Sequence, residues 1–259
     1  MKNIIKSLCY DVVRSKSFIR IVAFFMILMG LLTFLNINLD GDVPGTSGMI
    51  VSNADLTFLM GIMFVGILIA MLTGEGFADK TSNYEVMSGH SRISVIMARG
   101  AFGAVVSALI LTAASFIPII VGNVFYGWGD ALRLGDVIIR QLLFFFPFLR
   151  LSAFVVSMLY IIRNQYVIMA LGNALLLFVN LVPHFQKSYF SSISNLELLT
   201  AYEGWSIYNL DPAKGVVEYV AYDSSIDSKM VIGTIAVSMV MTAFYLILSY
   251  AVFRHDDID

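Results

Sequence analysis

The chain has 259 residues, of which 59% are apolar and only 13% charged, with a net charge of −2. That charged fraction is about half that of an ordinary soluble domain, which excludes a water-soluble enzyme and leaves an all-α integral membrane protein. One cysteine, Cys9, excludes a disulfide framework within the chain and offers no metal-ligand cluster.

Residues 1–17 place Ile4, Ile5, Leu8, Cys9, Val12 and Val13 at helical spacing, with Lys2, Lys6, Asp11 and Arg14 on other faces. The pattern predicts an amphipathic interface helix lying along the inner membrane surface. This basic stretch is long for a signal peptide and no A-x-A-like site follows it, so the first apolar run reads as an uncleaved span. Six runs approach or reach the ~20 residues needed to cross ~30 Å of hydrocarbon: Phe18–Asn36, Leu56–Thr73, Gly100–Gly122, Gln141–Ile162, Tyr166–Pro183 and Met230–Val252. Residues 18–259 are thus expected to form one six-helix membrane domain.

Charge placement orients it. With the N-terminus inside, the cytoplasmic side holds ten bases: Lys2, Lys6, Arg14, Lys16, Arg20, Lys80, Arg92, Arg99, Arg163 and Arg254. The outer side holds five, Arg133, Arg140, Lys187, Lys214 and Lys229. Positive-inside therefore predicts that both termini are cytoplasmic. In the third span Gly100, Ala104 and Ala108 recur every fourth residue, with Gly103 and Ser107 alongside. Small side chains let helix backbones approach closely, so this is a packing face whose partner the row does not name.

The outer loop 184–229 is too long for a turn and mixes aromatics with six acids and three lysines. It reads as a small folded cap whose aromatics anchor at headgroup level. Asp211-Pro212 pairs an N-cap acceptor with proline at the first helical position and predicts a short helix near 212–222.

Catalytic signatures are missing from the sequence. His90, His184 and His255 all fall outside the spans, and there is no H-E-x-x-H, G-x-S-x-G, Gly-Lys-Ser/Thr phosphate loop or T-V-G-Y-G filter. The chain is read as a non-catalytic subunit, and any ATP use has to come from a partner. Well inside a span the ionisable exception is Arg150, three residues after Pro147. Proline cannot donate to the Leu143 carbonyl one turn earlier, and Arg150 is suited to satisfy such a group. A charge at that depth costs at least ~2.5–3.5 kcal/mol, so Arg150 should face the bundle interior, a partner or water. It is either a structural donor to a broken helix or part of a substrate path or gate, with Phe144 and Phe148 beside it.

The most informative stretch is the cytoplasmic loop 74–99, which carries Gly74-Glu75-Gly76-Phe77-Ala78-Asp79-Lys80-Thr81-Ser82-Asn83-Tyr84-Glu85-Val86-Met87-Ser88-Gly89-His90-Ser91-Arg92 and ends at Arg99. It resembles the loop after the second span in the membrane permeases of type-2 ABC exporters, particularly the small Firmicutes permeases that move bacteriocins and other amphipathic peptides. That loop typically reads E-F-x-N-G-T-I-R-N-K-L-x-S-G-x-S-R. Phe77, Thr81, Ser88, Gly89, Ser91 and Arg92 match; Asp79 stands for Asn and Val86 for Leu, and Glu75 is displaced by one position. Lys80 replaces the usual glycine, Asn83 and Glu85 stand where bases are usual, and Ser82 and Tyr84 also depart.

The resemblance implies that the region Asp79–Gly89 is a coupling helix docking into a separate ATPase subunit, helped by the N-terminal helix. Glu85, Lys80 and Arg92 would make charge contacts there, and Phe77 or Val86 would fill an apolar socket. With Glu75, Asp79, Thr81 and Gly89 these form the expected ATPase-coupling set. It further implies a second permease copy, as a homodimer or a heterodimer with a related permease, placed in a bacterial cytoplasmic membrane. ATP and magnesium would be bound by the partner, none by this chain, and no nucleic acid is involved. The cargo would be a hydrophobic or amphipathic peptide. The alternative is a non-transporting immunity or sensor protein that captures a peptide through the outer loop. An ion-coupled transporter ranks last, because no carboxylate lies well inside a span.

Overall fold

Four helices of the computed structural model are long and apolar enough to cross a membrane, and they lie at four of the six predicted spans. The structure describes residues 2–39, 46, 50, 61–74, 87, 89, 91–129, 132–170, 189, 192–211, 215–223 and 225–254. Helix α1 covers Lys2–Arg14 and α2 Lys16–Leu39. Helix α3, Gly61–Gly74, is a shorter apolar helix that ends in a π-helical turn over Ala70–Gly74. It is the described part of the predicted span Leu56–Thr73. Helix α4, Arg92–Ser115, continues into α5, Ile117–Tyr126. Helix α6, Leu134–Leu143, continues into α7, Phe145–Ile162. The run 165–170 is helical, labelled α8, and the rest of the predicted span Tyr166–Pro183 lies outside the described residues. Helix α9, Ser192–Thr200, leads into a hairpin, and α10, Ser228–Arg254, closes the chain.

Both long composite helices break at identifiable places. The apolar run Ser94–Phe125 spans 32 residues, longer than the bilayer requires, and breaks at Phe116, two residues before Pro118. There Ser115 Oγ donates to the Thr112 carbonyl at 2.7 Å and the Phe116 N–H to the Ala113 carbonyl at 3.2 Å. The second break, at Phe144, lies three residues before Pro147.

Helix α7 is the centre of the bundle. In the run Leu134–Ile162, 72% of the apolar stretch is buried, against 22% in α2 and 17% in α10, so the latter two are peripheral. The small-residue row of α4 finds its partners here. A Cβ on Gly100 would sit 3.2 Å from Val156 and 3.4 Å from the Tyr160 ring, and Ser152 Oγ donates to Ser107 Oγ at 3.1 Å. A Cβ on Gly103 would collide with Thr73 Oγ1 of the π turn. The row therefore joins α4 to α7 on one side and to α3 on the other.

Helix α10 is apolar outside and polar inside. Its buried residues, among those described, are Met230 and four hydroxyl residues, Thr234, Ser238, Thr242 and Ser249. Ile232, Met239, Val240, Phe244 and Ile247 are exposed. In water this arrangement would leave the apolar face unburied; beside hydrocarbon it is the stable one. The protein is thus built for a membrane.

Outside the helical bundle, the described part of the expected helix near 212–222, residues 215–222, is strand instead. Strand β1, Glu203–Asp211, pairs antiparallel with β2, Gly215–Asp223, in a register running from Glu203↔Asp223 to Asp211↔Gly215. Val216, Val217, Tyr219, Val220 and Tyr222 are β-branched or aromatic, and that preference outweighs the cap signal of Asp211-Pro212.

Candidate functional site

The described end of the 74–99 loop is a turn and a helix start. Gly89 has φ +96°, a conformation open to glycine at no steric cost. Ser91 is the N-cap of α4: its Oγ accepts from the Ser94 N–H at 3.3 Å and donates to Ser94 Oγ at 2.8 Å. Arg92 is the first residue of α4. Gly89 and Ser91 thus have a folding role whatever docks beside them. Glu75, Phe77, Asp79, Lys80, Thr81, Glu85 and Val86 lie outside the described residues.

Helix α1 sits against this helix start. Ile4 and Leu8 are buried on Val95 and Ala98, with Phe102 packed alongside. Its apolar stripe is therefore split: Ile4 and Leu8 face α4, while Ile5, Cys9 and Val13, one turn apart in series, are exposed. Half of the predicted apolar stripe is thus used in packing α1 onto α4. The α4 start is tied in turn to the core, where Tyr160 Oη donates to the Ile96 carbonyl at 3.2 Å. The loop's other end leaves from the π turn, where a Cβ on Gly74 would come 2.8 Å from Gln165 Cβ.

Arg150 is 1% exposed and heads the fully buried side chains by size. Its Nη1 donates to the carbonyl of Tyr189 at 2.8 Å, not to that of Leu143. The Tyr189 ring lies on α10, where a Cβ on Gly233 would be 3.0 Å from it. Arg150 therefore joins α7 to the segment before α9. Phe144 and Phe148, each 1% exposed, form an edge-to-face pair with centroids 6.0 Å apart, and the Phe148 ring closes on Gly61 of α3. All three residues belong to the packed interior of the chain. Arg150→Lys keeps the charge and loses the fork, and should lower stability by about 1–3 kcal/mol. Thermal unfolding in lipid nanodiscs measures this, with Tyr189→Phe, which leaves the carbonyl in place, as the neutral control.

The residue that sequence reasoning counted only as an outer-side charge is Arg140. It is 4% exposed, and its Nη1 donates to the carbonyls of Leu199 at 3.1 Å and Ala201 at 2.9 Å. Its Nη2 donates to the Ser225 carbonyl at 3.0 Å, and the guanidinium lies 4.5 Å from the Tyr202 ring centroid. Leu199 and Ala201 close the α9 C-terminus, where unpaired carbonyls favour a cation. Arg140 thus grips the chain where it enters the hairpin and again where it leaves. Burial pushes the Tyr202 phenol up, with the Arg140 charge opposing. Hydrogen bonds from Ser225 hold the exposed Asp223 carboxyl below its usual range, and the Ser225 N–H reaches Asp223 Oδ1 at 2.8 Å. A sequence signal existed: Val137, Arg140, Gln141 and Phe144 are spaced i, i+3, i+4, i+7, which puts Arg140 on a buried stripe.

No protein-family model and no curated protein matches this chain. Its function has to be argued from these contacts.

Proposed function

We propose that the chain is the permease subunit of an ATP-driven ABC exporter that moves a hydrophobic or amphipathic cargo of peptide type out of the cell. The observation that carries this reading is the juxtaposition of α1 with the first turns of α4, immediately after the 75–91 loop. The resemblance of that loop asks for this pairing, because an interface helix and a coupling loop must share one face to receive one partner. In this reading all six spans cross a bacterial cytoplasmic membrane with both termini inside, and a second permease copy completes the path.

The mechanics follow from the contacts. Closure of an ATPase pair would press on the loop, whose ends are the π turn of α3 and the start of α4. Thr73 meets Gly103, Ile96 meets Tyr160, and Gly100 meets Val156, so displacement at the loop reaches α7 through close backbone contacts. Interfaces packed this tightly shift between discrete arrangements instead of deforming smoothly. Arg150, Phe144 and Phe148 then shape the gate through packing, with ATP and magnesium held by the partner.

A photo-crosslinking amino acid at position 85, in native membranes, tests the reading. Capture of a nucleotide-binding subunit that carries a phosphate-binding loop is expected. The sensor or immunity reading draws on a separate observation, the hairpin held at both feet by Arg140. It predicts no ATPase at position 85 and a crosslink from Tyr208 to a peptide ligand, an outcome that would displace the permease reading.

A further inference from the structure

Buried hydroxyls in membrane helices commonly spend their proton on their own helix. Thr33, Thr112 and Ser249 donate to the carbonyl four residues back, each at 2.8 Å, and Ser115 and Ser157 to the carbonyl three back, each at 2.7 Å. Ser238 and Thr242, one turn apart on α10, do not. They are 0% and 7% exposed, and neither Oγ of Ser238 nor Oγ1 of Thr242 has a hydrogen-bond partner among the described residues. One turn earlier Thr234 Oγ1 accepts from Asn195 Nδ2 at 2.9 Å, and Asn195, 0% exposed, keeps Oδ1 without a partner.

Thr234, Ser238 and Thr242 form one buried row along α10, spaced every fourth residue, with Asn195 at its Thr234 end. The buried face of α10 packs along α7, its most extensive helix contact. Gly233 meets Tyr189, whose carbonyl binds Arg150, while Tyr245 stacks edge-on against Phe154 at 5.4 Å. Along α10, Ser238 and Thr242 lie between those two contacts. A dry interface would favour the intrahelical bond, since an unmade hydrogen bond in hydrocarbon costs several kcal/mol.

We infer that α7, α9 and α10 enclose a polar seam that takes water, with Ser238, Thr242 and the Asn195 carbonyl as its hydrogen-bonding wall. Hydroxyls supply donors and acceptors, and the amide oxygen an acceptor. The seam needs the membrane placement and not the ABC reading.

Thiol accessibility tests it. In a Cys9→Ser background, Ser238→Cys and Thr242→Cys are treated in native membranes with a water-soluble methanethiosulfonate. Labelling at least tenfold faster than at Met239→Cys, Val240→Cys or Ala108→Cys is the expected result. The first two controls are on the exposed apolar face and the third in the buried α4 row. Rates no faster than the controls overturn the seam. If a cysteine variant does not insert, Thr242→Val decides: a lower melting temperature in nanodiscs supports bound water, whereas a higher one means that the hydroxyl was a liability in a dry core. Neither measurement needs ATP or a partner, so failure of the seam and failure of the permease reading are told apart.

Discussion

Arg140→Ala is expected to detach the hairpin from the bundle and to destabilise the protein by at least about 3 kcal/mol. Hydrogen bonds to a charged group contribute about 1.5–3 kcal/mol each, and this side chain makes three of them, to Leu199, Ala201 and Ser225. The sum is not additive, because the three carbonyls share one guanidinium, but truncation strands the Leu199 carbonyl in a buried place and frees the part-buried Ala201 and Ser225 carbonyls. Stacking on Tyr202 adds about 0.5–2 kcal/mol. The hairpin has few alternatives, since a two-stranded sheet is marginal in water by itself. Limited proteolysis in nanodiscs should therefore cut first within 201–227 in the variant and not in the parent. Arg140→Lys should fall between them, since an ammonium keeps the charge without the planar fork. Equal cleavage in Arg140→Ala and the parent would remove Arg140 as the anchor.

Both successes and failures of sequence reading here have physical causes. Helices α2 and α10 match their predicted spans to within a few residues, because long apolar runs report the bilayer directly. The predicted Gly100–Gly122 span lies within a longer apolar run, Ser94–Phe125, and only the structure shows the break at Ser115–Phe116 that divides it. At 212–222 two local signals conflicted, and the β-branched and aromatic run prevailed over the Asp-Pro start. Arg150 was legible as an anomaly but not as a tether, because its partner, Tyr189, is 39 residues away. Arg140 was less legible still, binding 59, 61 and 85 residues downstream. The hydroxyl face of α10 was open to reading: Thr234, Ser238 and Thr242 recur every fourth residue, but a hydropathy average conceals them. Of the coupling set, Gly89 and Arg92 can be placed, as a turn and a helix start.

That coupling set decides the account. Glu85 and Arg92 carry opposite charges on either side of Gly89, in a loop whose exit is braced by Ile4 and Leu8 of α1. Reversing both preserves the loop's net charge and hydropathy, so insertion and positive-inside orientation should survive. A docked partner, by contrast, meets the wrong charge at both places. Truncating one member of a buried interfacial pair costs about 2–5 kcal/mol, and juxtaposing like charges acts in the same direction. Since about 1.4 kcal/mol is a factor of ten, affinity should fall at least tenfold. The measurement is co-purification of the ATPase with Glu85→Lys/Arg92→Glu protein from cells, alongside export by the same cells and the amount of protein in the membrane. The permease account predicts normal insertion, loss of most of the ATPase and loss of export. Unchanged ATPase association and export, at equal membrane abundance, would contradict it.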